Sequence, residues 1–229
     1  MFQSIVVFSL LMAIKAVSLL FFRHRLDWVG SPPADRWERL RLIALLHHTS
    51  LFEPIFLAVV PNHVLWRLAR HGVIPAASKT TDRPLVGLLY RFVARRVIPI
   101  TRERDHTWTG VLDEIGADSM VVMAPEGRMM RADGRDSGGN PMTVRGGIAD
   151  VLSAIGTGRM LLAYSGGLHH VQVPGKWPRP WKTVRVRAEV LEIEAYRHEV
   201  LAAGTPEEFK RAVKSDLERR RDLHRPIAE

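Results

Sequence analysis

Five apolar runs of strand length, alternating with stretches of helical spacing, constrain this chain more than any other feature. RLIALL (41–46), VIPAA (73–77), RRVIPI (95–100), SMVVMA (119–124) and RMLLAY (159–164) read as buried strands. Residues 52–70, 84–93, 105–117 and 144–155 read as the helices between them. Strands buried on both faces lose the alternation of a surface strand, so this pattern predicts an α/β domain: a central, mostly parallel or mixed sheet flanked by helices. TVRVRAEVLEIEA (183–195) alternates with period two and reads as a half-exposed strand. In GTPEEFKR, Thr205 as N-cap, Pro206 at N1 and Glu208 at N3 announce a capped terminal helix. The glycines at 138–139 and 146–147 lack the spacing of either nucleotide-binding loop.

Ahead of the domain lies SIVVFSLLMAIKAVSLLFF (4–22), with one lysine and no proline or glycine. As a helix it is about 28 Å long, close to the ~30 Å of a hydrocarbon core. No basic segment precedes it and no small-residue cleavage site follows, which argues against a removable signal. Arg23, His24 and Arg25 then place the rest of the chain on the cytoplasmic face. The division expected is a membrane-associated helix over residues 1–30 and an α/β domain over 31–229, after the polar link SPPADR. A chain starting near Leu26 is expected to keep that domain. The other reading of the arm is a core helix.

The chain has no cysteine, which excludes disulfides, a thiol nucleophile and cysteine-held metals and fits a reducing compartment. Its 33 Lys+Arg exceed 24 Asp+Glu, a net charge of +9, and only six of the cations are lysines. Arginine forks suit phosphate and carboxylate, so nucleic acid, an anionic membrane and an anionic substrate are the candidate partners. The nucleic-acid reading rests on charge alone, without interleaved aromatic residues.

Two stretches could carry chemistry. In HHTSLFE (47–53), Ser50 and Glu53 have the spacing of a capping box, a purely structural reading. His48 also stands close enough to Glu53 for the carboxylate to orient one ring nitrogen and leave the other to take a proton. A metal site would need His169 or His170 as a third ligand, with no compact spacing in support. In VVMAPEGRMMRADG (121–134), a strand delivers Glu126, Gly127, Arg128 and Arg131 to its carboxyl end, where open α/β sheets bind ligands. An ordinary strand-ending turn has the same pattern. VIPITR (97–102) brings Arg102 to that edge in the same way.

HHTSLFE, VIPITR and APEGR, in this order, resemble the first three sequence blocks of the glycerol-phosphate and lysophospholipid acyltransferase family, over roughly residues 40 to 195. His48, Ser50 and Glu53 fall on the first block (N-H-x-S-x-x-D), Arg102 on the second, and Glu126 and Gly127 on the third (F-P-E-G-T-R). Lys79 resembles the lysine that often follows the second strand. There are departures: His47 replaces asparagine, Glu53 aspartate, Arg128 threonine and Met129 arginine, and LLAYSGGLHH lacks the proline of the fourth block.

The resemblance implies acyl transfer from acyl-CoA or acyl carrier protein to a lysophospholipid hydroxyl, most directly that of 1-acylglycerol 3-phosphate, giving phosphatidic acid. His48 is the implied general base and Glu53 its orienting carboxylate. Ser50, Lys79, Arg102, Glu126, Gly127 and Arg128 are the implied substrate-binding residues. The implied partners are anionic membrane lipids, the acyl donor and the lysophospholipid acceptor, with no cofactor, metal or nucleic acid. The alternatives are a catalytically weak lipid-binding or scaffold protein on the same fold, or an acyltransferase for another lyso-lipid.

Overall fold

All five apolar runs become neighbouring strands of one sheet. The computed structural model describes residues 1–78, 93–101, 106–173 and 176–226. Its strands are β1 (Arg23–Trp28), β2 (Leu40–Leu46), β3 (Gly72–Ala77), β4 (Arg96–Ile100), β5 (Met120–Met123), β6 (Arg159–Tyr164) and β7 (Thr183–Glu192), in the order β1-β7-β6-β2-β5-β3-β4. β2 to β6 run parallel, whereas β7 is antiparallel to β6 and carries β1 parallel to itself. The sheet is therefore mixed, with β2 at its centre.

Helices cover both faces. α1 (Phe2–Phe21) and α2 (Asn62–His71) lie on one side, burying Val7, Leu11, Val64, Leu65 and Leu68 against Leu40 and Ile43. On the other side α4 (Gly147–Ile155), α5 (Ile193–Val200) and α6 (Pro206–Leu223) bury Ile148, Leu152, Tyr196, Val213 and Leu217 over Leu42, Ala44 and Leu162. α3 (His106–Asp113) packs beside β4. The capping box of α6 forms as read: Thr205 accepts the Glu208 amide, and Glu208 accepts the Thr205 amide at 2.8 Å.

Three segments depart from the sequence reading. Residues 52–70 are not one helix but a 3-10 helix, Glu53–Val59, then α2, because Pro61 cannot donate and starts a new helix as its N-cap. The strand read over 183–195 ends at Glu192, and Ile193 and Tyr196, three apart, go under the sheet on the buried side of α5. Arg23–Arg25, read as a polar flank, begin β1, whose Arg23–Trp28 pair with Thr183–Ala188. A chain starting near Leu26 would thus lose half of an edge strand and uncover the surface beneath Val7 and Leu11.

α1 is long and apolar enough to cross a bilayer, with a mean hydropathy of 2.3. One stripe of it, Ser4, Val7, Leu11 and Ser18, is buried against the domain at helical spacing. Ser18 donates to the Ile55 carbonyl at 2.8 Å and Lys15 to the Val60 carbonyl at 2.7 Å. The opposite stripe leaves Val17, Leu19 and Leu20 more than half exposed.

Candidate active site

The carboxyl ends of β2, β5 and β6 sit side by side, and the loops leaving them form one cluster. β2 ends at Leu46, and His47 follows in the left-handed region at φ 64, so the chain turns sharply after the strand. This turn aims the His48 ring across the sheet edge. His48 Nδ1 lies 2.6 Å from Glu53 Oε2, with 17% of the histidine side chain exposed and 8% of the glutamate. An ionised carboxylate only accepts, so Nδ1 carries the proton in the neutral ring and Nε2 is the basic nitrogen. Among the described residues Nε2 has no hydrogen-bond partner.

Glu53 is bound from both oxygens, since Oε1 accepts the Thr49 amide at 2.9 Å. Ser50 Oγ accepts the Phe52 amide at 3.0 Å. The capping box suggested by Ser50 and Glu53 is therefore not the arrangement formed: Ser50 closes a local turn, and Glu53 braces the loop against the imidazole. Burial, the largest influence, pushes the His48 pKa down, but the charge and hydrogen bond of Glu53 with the charge of Glu126 outweigh it, leaving the ring above its ordinary 6.5.

Glu126, after β5, is 1% exposed and accepts the His48 amide at 2.8 Å. Burial lifts its carboxyl above the usual range, against the pull of that amide and of Arg221. Gly127 takes φ 64, the left-handed turn that glycine adopts without a Cβ penalty. Met130 then donates to the His48 carbonyl at 2.7 Å, so the APEGR loop grips His48 by both backbone groups. Arg128 is paired with Asp136, whose carboxyl that guanidinium and the Asn140 and Gly138 amides hold down to about 2. A groove of about 260 Å³ opens here, lined in part by Glu126, Arg128, Asp136 and Arg145.

Ser165, Gly166 and Gly167 follow β6. Both glycines have positive φ, and a Cβ on Gly167 would lie 2.9 Å from the Thr49 methyl. This close approach lets the Leu168 amide reach Thr49 Oγ1 at 2.8 Å. His169 and His170 direct Nε2 at the carbonyls of Met130 and Thr183, at 3.0 and 2.9 Å.

His48, Ser50, Glu53, Glu126, Gly127 and Arg128 thus come together at one sheet edge. Lys79 and Arg102 lie outside the described residues. Sequence reasoning missed Thr49, hidden inside the HHTSLFE stretch, and Arg221 of α6. Arg221 Nη1 reaches Glu126 at 3.4 Å and the Met142 carbonyl at 3.0 Å. Only the crowding of arginines at the end of α6 hinted at it. His47 is 2% exposed with neither ring nitrogen hydrogen-bonded, and burial, helped by Arg225 and Arg221, lowers its pKa to about 4.

Chemically, the cluster offers an oriented base with its basic nitrogen free, beside a groove carrying arginines. The His48 and Thr49 amides are already spent on the two glutamates, so neither is free to receive an oxyanion.

No family model matches the chain, and no curated protein sequence matches it. Among solved structures it is similar to the 1-acyl-sn-glycerophosphate (LPA) acyltransferase PlsC from Thermotoga maritima, with a TM-score of 0.57 and 17% identity, over 95% of this chain and 81% of that one. At that identity the likeness is one of fold, which in this chain is a single α/β domain built on a mixed sheet and preceded by an apolar helix.

Proposed function

We propose that this protein is a membrane-associated O-acyltransferase that moves a fatty acyl group from a thioester, acyl-CoA or acyl carrier protein, to the free hydroxyl of a lysophospholipid. The observation that carries the reading is the His48–Glu53 pair, with Nδ1 held at 2.6 Å and Nε2 free at the carboxyl edge of the sheet. An imidazole oriented in this way is a base suited to an alcohol near neutral pH. The fold likeness to an LPA acyltransferase adds support and makes 1-acylglycerol 3-phosphate the first acceptor, with phosphatidic acid as product.

In the reaction, Nε2 takes the acceptor hydroxyl proton as that oxygen attacks the thioester carbonyl carbon. The negative charge of Glu53 steadies the imidazolium that forms. The tetrahedral intermediate then collapses, the carbon–sulfur bond breaks, and the thiolate leaves with the proton from His48. No enzyme nucleophile is used, which suits a chain without cysteine. The acceptor phosphate is assigned to the groove beside Glu126, where Arg145 is exposed, together with Lys79 and Arg102. The acyl chain is assigned to the apolar side of the 3-10 helix and α1, and the exposed apolar stripe of α1 to the cytoplasmic leaflet.

A second reading, lipid binding without turnover, is favoured by the pairing of Arg128 with Asp136 inside the chain, which takes one cation away from a phosphate. Purified full-length protein, given acyl-CoA and lysophosphatidic acid in mixed micelles, separates the two. Release of free thiol matched by phosphatidic acid in the mass spectrum, and lost in His48→Ala, supports the transferase. Saturable binding of the lyso-lipid with no thiol release supports the second reading.

A further inference from the structure

The sequence PGKWPRPWK, between the last site loop and β7, is absorbed by no part of the proposed chemistry. Trp177 is 91% exposed and Trp181 62% exposed, an expensive way to display indole rings in water. Val171 to Ala188 contains five cations, Lys176, Arg179, Lys182, Arg185 and Arg187, and no acidic residue. Lys176, Arg179 and Lys182 are exposed beside the two tryptophans. Indole rings that are apolar in the body and polar at one edge, set beside the exposed cations Lys176, Arg179 and Lys182, match the boundary between lipid headgroups and acyl chains.

Two features say what covers this surface. The Trp181 amide donates to the Phe21 carbonyl at 2.6 Å, and the two rings lie 6.0 Å apart, so Trp181 continues the exposed apolar end of α1, Leu19 to Phe21, and Trp177 follows in the same loop. The loop also stands at the sheet edge that bears the site. β7 begins there because it is antiparallel to β6, Tyr164 pairing with Arg187, and β1 begins there with Arg23 opposite Thr183. Leu168, bonded to Thr49, leads directly into this loop.

We infer that Trp177 and Trp181, with Lys176, Arg179 and Lys182, form a second membrane-binding surface that docks on anionic phospholipid headgroups and turns the His48 edge of the sheet toward the bilayer. It rests on the membrane reading of α1 given above but not on the acyl-transfer reading.

The absence of cysteine allows a single label at one chosen position. Trp177→Cys carries an environment-sensitive fluorophore, and Ala117→Cys, exposed just before β5 at the opposite sheet edge, is the reference. Each full-length protein is mixed with vesicles of phosphatidylcholine alone or with phosphatidylglycerol, and co-sedimentation is measured beside quenching by brominated lipid. The expected result is a blue-shifted, lipid-quenched label at 177 and a water-exposed one at 117. The phosphatidylglycerol-dependent component at 177 should fall about fivefold for each cation removed in Lys176→Gln, Arg179→Gln and Lys182→Gln. Sedimentation with both labels in water overturns the docking surface alone and leaves that face to a protein partner. Failure of every variant to sediment overturns this surface and the membrane reading of α1 together, while thiol release in micelles still judges the acyl-transfer reading. Equal burial in neutral and anionic vesicles overturns the role of the cations.

Discussion

Glu126 accepts the backbone N–H of His48 at 2.8 Å, so the loop after β5 holds the loop after β2. The same carboxylate takes Arg221 from α6, 95 residues further along the chain. Arg221→Met keeps the apolar stem but leaves a buried carboxylate short of its cation. The expected result is a loss of about 2 kcal/mol in stability and a fall in kcat larger than any change in KM. In the double variant with Glu126→Gln the losses should be less than additive, because the second change removes the charge the first left unpaired. Urea unfolding and steady-state kinetics on all four proteins check this; additive losses would show that Arg221 acts elsewhere.

His48→Ala should reduce acyl transfer by at least ~10²-fold with the fold intact. Because the ring must be neutral to accept a proton and its pKa is raised, the acidic limb of kcat/KM should lie above 6.5 in the wild type. The stability that the His48–Glu53 pair gives runs the other way: it is full below the unfolded value and is lost as pH rises through the folded one. A pH–rate profile with its limb below the ordinary histidine value would remove His48 as the base.

Glu53→Gln keeps one oxygen for the Thr49 amide but loses the charge opposite the imidazolium. If bracing the loop were its whole function, activity would stay near normal with a stability change of about 1 kcal/mol. The 2.6 Å contact with Nδ1 leads us to expect a rate loss of about 10²-fold or more with only that modest shift in Tm. Circular dichroism melts run beside activity assays distinguish the two.

His47 has the opposite titration. The unfolded chain binds a proton near 6.5 that the folded chain refuses until about 4, so stability falls as pH drops through that window, by up to about 3 kcal/mol. Asn, like His, is among the residues that tolerate positive φ, and it does not titrate. His47→Asn should therefore remove most of this acid sensitivity and keep most of the activity. Thermal melts of both proteins from pH 7 to 4 test it, and parallel losses in the two would refute it.

The parallel core of the sheet could be read from the sequence because strands covered on both faces must be continuously apolar, and RLIALL or RMLLAY has few other uses. β1 was hidden for the converse reason: RHRLDW is an edge strand, half polar, and its charges look like the flank of the apolar arm before it. The break in the 52–70 helix was signalled by Pro54 and Pro61, and the run of apolar residues around them masked it. In the site, HHTSLFE brings its own pair together because the partners are five residues apart. Arg221 and the Gly167–Thr49 contact depend on which strands become neighbours, which spacing along the chain does not record.

α1 ends at Phe21 and β1 begins at Arg23, so the junction between helix and sheet is the single residue Phe22, itself 7% exposed. Such a joint has no slack and acts as a bracket, not a leash. A domain on a long tether would sweep a hemisphere of solution and meet lipids of any nearby surface, its reach set by the length of the linker. Here the reach is set by the angle of one helix. With α1 lodged in a leaflet, the encounters of His48 are confined to the plane of that leaflet, and acceptors held in a separate vesicle should be acylated only after they exchange into it.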